Sequence, residues 1–143
     1  MSTAAHPRDV LFEDGDPTVS LPVCDHYSGV EPRMRKSLAL QGELGPVFDV
    51  TLDGEDGAQV GGEVDQAHLI AELVQSPANR FDRVGARIVA HGHAAFEPML
   101  QVLLRDAGAR LAYLMIPKAR DAADFEAAVH AVDRASRAFG IIR

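Results

Sequence analysis

Apolar residues in this chain gather into short continuous runs, separated by longer stretches in which they recur every three or four positions. Continuous runs fit strands buried on both faces, and the three-to-four spacing fits amphipathic helices. Residues 19–24 read as a first strand, and residues 32–43 as a helix with Met34, Leu38 and Leu40 near one side, closed by Gly45-Pro46. Residues 47–52 read as a second strand. A second helix, over 64–75, turns Val64, Leu69, Ile70 and Leu73 inward and stops at Ser76-Pro77. Residues 84–90 make a third strand. Pro98 fits the first turn of a third helix, with Met99, Val102, Leu103 and Leu104 on a broad apolar face that ends at Gly108. Residues 111–116 are a fourth strand. Asp121 or Asp124 caps a last helix, where Phe125, Val129, Val132, Ala135 and Phe139 keep helical spacing. Gly140 stops it, and Ile141-Ile142 reads as the opening of a fifth strand.

Strands that alternate with helices in this way predict an α/β fold with a parallel sheet. Four βα units are half of a closed (β/α)8 TIM barrel, so residues 18–143 read as a partial barrel, after a loosely ordered lead-in over residues 1–17. A small open doubly wound sheet would also use such units. However, Gly54, Gly57, Gly61 and Gly62 do not fit its G-x-G-x-x-G phosphate loop. A chain ending on a nascent strand leaves a parallel edge unpaired. The expectation is therefore the N-terminal half of a longer protein.

At 143 residues the chain suits one domain with a real core. A formal charge of −7 argues against nucleic-acid binding, and Arg33, Arg35 and Lys36 look like one helix face, not a phosphate track. Cys24 is the only cysteine, which rules out an internal disulfide, fits a reducing cytoplasm and reads as packing. There is no signal-peptide core, and the longest apolar run, residues 111–117, is too short to span a bilayer. These features point to a cytoplasmic protein with no membrane partner.

Candidate chemistry centres on Asp53-Gly54-Glu55-Asp56-Gly57, where a strand drives into three carboxylates at the end on which α/β folds place their ligands. Crowded carboxylates repel unless a cation or a positive substrate group answers them. The plainer reading is a solvated acidic turn capping the next helix. Arg87, at the end of the third strand, is a natural partner for Glu55 and Asp56 across adjacent strands. Lys118 either closes the fourth strand against a neighbouring acid or serves the site. Asp25 and His26, at the end of the first strand, make a candidate acid–base pair. His91 and His93 share a direction on an extended strand, but two imidazoles with no third ligand nearby fit loop histidines better than zinc. His68 and His130 read as surface residues, and Met34, Met99 and Met115 as core filler.

Val50-Thr51-Leu52-Asp53-Gly54-Glu55-Asp56-Gly57-Ala58 resembles the strand-two "LDLEDA" signature of the HpcH/HpaI aldolase and citrate lyase β-subunit superfamily of CoA ester lyases. Gly85-Ala86-Arg87-Ile88-Val89 resembles its strand-three arginine motif, and Leu114-Met115-Ile116-Pro117-Lys118 its strand-four "LPK" ending. Arg33-Met34-Arg35-Lys36-Ser37-Leu38 resembles its first helix. Four motifs in order, one per βα unit, carry the resemblance from about Ser20 to the C-terminus. It implies a (β/α)8 barrel that cleaves or forms carbon–carbon bonds in a CoA ester or an oxo-acid aldol. The implied cofactor is Mg²⁺, with an oxo or hydroxy acid or an acyl-CoA thioester as substrate, and the implied assembly is a homo-oligomer, trimer or hexamer. By the same resemblance Arg87 binds substrate, Glu55 and Asp56 lie beside the metal and its waters, and Asp53 orients these groups or the backbone. Lys118 and His26 are possible supporting residues.

Departures bear on that reading. The asparagine after the arginine motif is missing, with Ala90-His91-Gly92-His93 in that region. The "VPG" turn after strand one is replaced by Cys24-Asp25-His26-Tyr27-Ser28-Gly29, which puts the acyl-CoA contacts in question. The family's direct metal ligands, a glutamate and an aspartate, come from strands five and six, so they are expected beyond Arg143. The alternative is a non-catalytic half-barrel acting as an interaction or small-molecule-binding module.

Overall fold

Four parallel strands lie side by side in the order in which the chain makes them, β1-β2-β3-β4. The computed structural model describes residues 22–141. The strands are β1 (Asp25–Ser28), β2 (Asp49–Asp53), β3 (Val84–Arg87) and β4 (Leu114–Met115). Between and after them run α1 (Glu31–Leu44), α2 (Glu63–Gln75), α3 (Phe96–Ala107) and α4 (Ala122–Ala138). Right-handed crossovers that always step to the next strand keep every helix on one face of the sheet, which is the winding of a (β/α)8 barrel. A doubly wound sheet would reverse direction. The described residues thus form a half-barrel, and none of their helices is long and apolar enough to cross a membrane.

Alternation along the strands sorts the side chains by face. Val50, Leu52, Val84 and Ala86 point to the helices and are buried with Met34, Leu38, Ile70, Leu73, Met99, Leu100 and Leu103 in the core. Helix ends follow the local sequence. Pro32 lies in the first turn of α1, and Gly45 ends that helix at φ +83°, a conformation glycine adopts without a Cβ penalty. Asp121, not Asp124, caps α4, accepting a hydrogen bond from the Asp124 amide at 2.8 Å.

The structure corrects several sequence expectations. The first strand was expected over 19–24, but β1 begins at Asp25, and residues 19–21 lie outside the described residues, as does the lead-in over 1–17. Val23 N already donates to Val47 O at 2.9 Å, so the chain runs beside β2 ahead of the assigned strand. The sequence Asp-His-Tyr-Ser hides a strand because one face of it looks into a polar barrel interior. Cys24 is exposed, not packed. The fourth strand shrinks to two residues, paired among the described residues with β3 alone. Of the expected opening of a fifth strand only Ile141 is described, and it lies in no strand. Its amide bonds back to Ser136 O at 2.9 Å, closing α4 around Gly140 at φ +68°, and Ile142 lies outside the described residues.

Helix α4 keeps only part of its expected face inward, with Ala135 buried and Val132 packed against the core. Ala128, Ala131 and Ala135 face inward, while Phe125, Val129 and Phe139 are exposed. Two apolar stripes share this helix, and the small alanines let it pack closely on α3. Val64 on α2 is likewise exposed. Beside α4, a groove of about 390 Å³ is lined by Leu111, Tyr113, Leu114, Val129, Val132 and Ile141 along β4.

Candidate active site

Asp53 and Arg87 are register partners on β2 and β3, so their side chains leave the same face of neighbouring strands at the C-terminal end of the sheet. The Arg87 guanidinium meets the Asp53 carboxylate as a two-pronged fork, with Nε donating to Oδ1 at 2.8 Å and Nη2 to Oδ2 at 2.7 Å. The same two oxygens accept the amides of Glu55 at 2.9 Å and Gly57 at 2.8 Å. Burial alone would raise the Asp53 carboxyl, but the Arg87 fork and the two amides outweigh it and hold it below the usual carboxylate range. Hydrogen bonding to Asp53 in turn pushes Arg87 above its already high value.

The turn after β2 is folded around this fork. Gly57 must be a glycine, because a Cβ there would lie 2.6 Å from Asp53 Oδ2 and 3.1 Å from the Gly29 Cα. The backbones of the loops after β1 and β2 therefore touch. Gln66 Nε2 ties them further by donating to Gly29 O at 2.9 Å and Asp53 O at 3.0 Å.

Glu55 and Asp56 project onto two cations. Lys118 Nζ lies 2.9 Å from Glu55 Oε1 and 2.8 Å from Asp56 Oδ1, and these hydrogen bonds raise its pKa. Lys118 sits at φ +55°, a sparsely populated conformation for a lysine, directly after the buried Pro117. Arg87 Nη1 stands 3.4 Å from Glu55 Oε2 and 3.5 Å from Asp56 Oδ2, ion-pair distances without a hydrogen bond. Glu55 Oε2 is thus a buried acceptor that no hydrogen bond satisfies.

Two further layers line the inner face below. Thr51 Oγ1 donates to Asp25 Oδ2 at 2.5 Å and lies 2.7 Å from the Tyr113 hydroxyl, whose pKa burial pushes up to about 12. Gly85 makes room for that ring, since a Cβ there would lie 2.2 Å from it. Lower still, Arg83 Nε bonds Asp49 Oδ1 at 2.7 Å.

Of the residues singled out from sequence, Asp53, Glu55, Asp56, Arg87 and Lys118 come together here. His26 does not. It lies on the helix side of β1, with Nδ1 3.1 Å from Ser37 Oγ and its ring 4.9 Å from Phe48, so it makes no pair with Asp25. His91 and His93 diverge as well. His91 Nδ1 is 3.7 Å from Asp124, and His93 Nδ1 accepts from the Ala95 amide at 3.1 Å. No group of three or more histidine, cysteine, aspartate or glutamate side chains among the described residues could hold a metal ion.

Sequence reading missed Tyr27. Its ring centre lies 5.0 Å from the Arg87 guanidinium carbon, and its hydroxyl donates to Met115 Sδ at 2.6 Å, which also removes Met115 from the core. The available signal was alternation, since Asp25 and Tyr27 share the face that carries Thr51 and Asp53. It could not be used while the first strand was placed over 19–24.

No protein-family model matches the chain, and no curated protein does. Among solved structures, it is similar to a crystal structure of a citrate lyase from Burkholderia xenovorans LB400, with 48% sequence identity and a TM-score of 0.82. The match covers 86% of this chain and 38% of that one, so the chain spans well under half of the solved protein's length. Similarity at this identity, with the alternating sheet and helices described above, fits a citrate lyase-like superfamily.

Proposed function

We propose that this chain supplies the arginine–carboxylate half of a carbon–carbon lyase site, acting on a 2-oxo or 2-hydroxy acid joined to an acyl group, with a CoA thioester as the acyl carrier. The observation behind this reading is the Arg87 guanidinium, splinted on one edge by Asp53 while Nη1 makes no hydrogen bond. An arginine fixed along one edge presents its remaining donors in a set direction, which suits a substrate carboxylate. In the cleavage direction the bond between the acyl α-carbon and the carbinol carbon breaks, the hydroxyl loses its proton, and a 2-oxo acid departs from a thioester enolate. Arg87 holds the carboxylate of the departing acid. Glu55 Oε2, buried and lacking a hydrogen bond, accepts a substrate hydroxyl or a water. Lys118 holds Glu55 and Asp56 in place.

Magnesium takes oxygen ligands in near-octahedral geometry. The described residues do not fit it on their own, because Glu55 and Asp56 already face Lys118 and Arg87 and no cluster of three ligands converges. A magnesium ion here would have to draw its direct ligands from other residues, and the roles given to Arg87 and Lys118 do not depend on it. Assembly as a homo-oligomer, trimer or hexamer, belongs to the same proposal.

The test is release of a 2-oxo acid, trapped as its phenylhydrazone, by the protein in which this half-site is completed, from 3-carboxy-3-hydroxyacyl-CoA thioesters and from free oxo-acid aldols, with and without magnesium. The expected result is release that falls by roughly 100-fold or more in Arg87→Ala, assayed at a temperature where the variant is still folded, because Asp53 loses its fork and the melt falls as well. Glu55→Gln should lower release in magnesium-free and magnesium-containing buffer alike, since Oε2 is the acceptor of the substrate hydroxyl or water. No release from any of these substrates overturns the proposal.

A further inference from the structure

Tyr27 belongs to an edge strand, yet it reaches across the inner face of the sheet. From β1 its ring covers the guanidinium of Arg87 on β3, and its hydroxyl ends at the thioether of Met115 on β4. The ring fixes one face of an arginine whose edge Asp53 already holds, so a ligand must approach Arg87 in its own plane, beside the phenol. Tyr27 also lines a pocket of about 220 Å³ with Ser28, Gly29, Arg33, Asp53 and Gly57. Tyr27 is 43% exposed and its hydroxyl's contact with Met115 lies at the surface, which leaves the phenol within reach of a ligand. A thioether is a weak acceptor, and a carbonyl or carboxylate oxygen arriving at Arg87 would take the phenolic proton from it. Burial raises the Tyr27 pKa against the opposing effect of Arg87, which keeps the phenol a donor at neutral pH.

We propose that Tyr27 is a substrate-binding residue whose hydroxyl leaves Met115 and donates to the 2-oxo oxygen of the acid that Arg87 holds by its carboxylate. The inference rests on the lyase reading of the Arg87 site and adds to it a means of distinguishing an oxo acid from a plain carboxylic acid.

Pyruvate and propionate separate the two contacts, since they share a carboxylate and differ at the oxo oxygen. Binding of each is measured by ligand-observed NMR in magnesium-containing buffer, for the wild-type protein, Tyr27→Phe and Arg87→Ala. Tyr27→Phe keeps the ring over Arg87 and deletes only the donor. The expected result is that wild type prefers pyruvate by roughly five- to tenfold, the size of one hydrogen bond to a ligand. Tyr27→Phe should lose that preference with propionate binding unchanged, and Arg87→Ala should lose both acids. A Tyr27→Phe protein that keeps the full preference overturns the role of Tyr27 and leaves the Arg87 site standing. A wild-type protein that takes neither acid overturns both.

Discussion

The ends of β2 and β3 and the outer side of β4 are neighbouring parts of one sheet, built on opposite principles. At the first, Asp53 accepts four hydrogen bonds, two from Arg87 and one each from the amides of Glu55 and Gly57. Each group there is fixed by several others, and removing one leaves charges without partners. Along β4 and α4 the surface is apolar, with Phe125 and Val129 exposed and the groove beside them lined by Leu111, Leu114 and Val132. Such surface contributes area but no fixed geometry. Directional chemistry is thus concentrated at the centre of the sheet, and the β4 side offers a place to pack.

Asp53→Ala should produce the largest difference between the two regions. It leaves the Arg87 guanidinium partly buried without its fork and frees two amides, a change expected to cost about 3–5 kcal/mol. Urea denaturation reads this directly, and a loss under 1 kcal/mol would show that the centre is no more constrained than the edge. Gly85→Ala comes next. Its new Cβ would meet the Tyr113 ring at 2.2 Å, and overpacking of this kind costs about 1–3 kcal/mol. In a Tyr113→Ala background the same substitution should become nearly neutral, and a cost that persists would place the clash elsewhere.

Acid should weaken the centre before the edge. Asp53 has a folded pKa below its ordinary value of 3.8, so its contribution is full above that value and is lost as pH falls through the lower folded one. Melting temperature measured through that window should drop in the wild type and much less in Asp53→Asn, which has no carboxylate to protonate. Equal acid sensitivity in the two proteins would assign the effect to other carboxylates.

The contrast between the regions also explains what the sequence could tell. Helices α1, α2 and α3 were legible because prolines and glycines bound their apolar periods, and β2 because its apolar run leads straight into Asp53. The acidic turn and Arg87 were legible as neighbours, since parallel strands in chain order place their ends together. The fork itself was not, because nothing in the spacing says that Asp53, rather than Glu55 or Asp56, takes the guanidinium edge-on. Tyr27 stayed hidden because β1 is polar on the face that lines the barrel, so no apolar run marked its register. His26 was drawn to the site by proximity in sequence and excluded by alternation, which sends it to the helix side.

Helix α4 gives the smallest expected effect and the sharpest test of how the edge is built. Its sequence carries a bulky stripe through Phe125, Val129 and Val132 and an alanine stripe through Ala128, Ala131 and Ala135; the second is buried, while of the first Val132 packs partly against the core and Phe125 and Val129 are exposed. Val129→Ser therefore removes a side chain that is 42% exposed and should change stability by no more than about 0.5 kcal/mol in urea denaturation. Had the bulky stripe faced the core, the same substitution would open a cavity and bury a hydroxyl, with a cost of about 2 kcal/mol or more. A large loss would thus mean that Val129 is covered in solution, by another part of the assembly or by a turn of the helix. The β4 side would then be as fully packed as the centre, and the difference between the regions would lie in polarity alone.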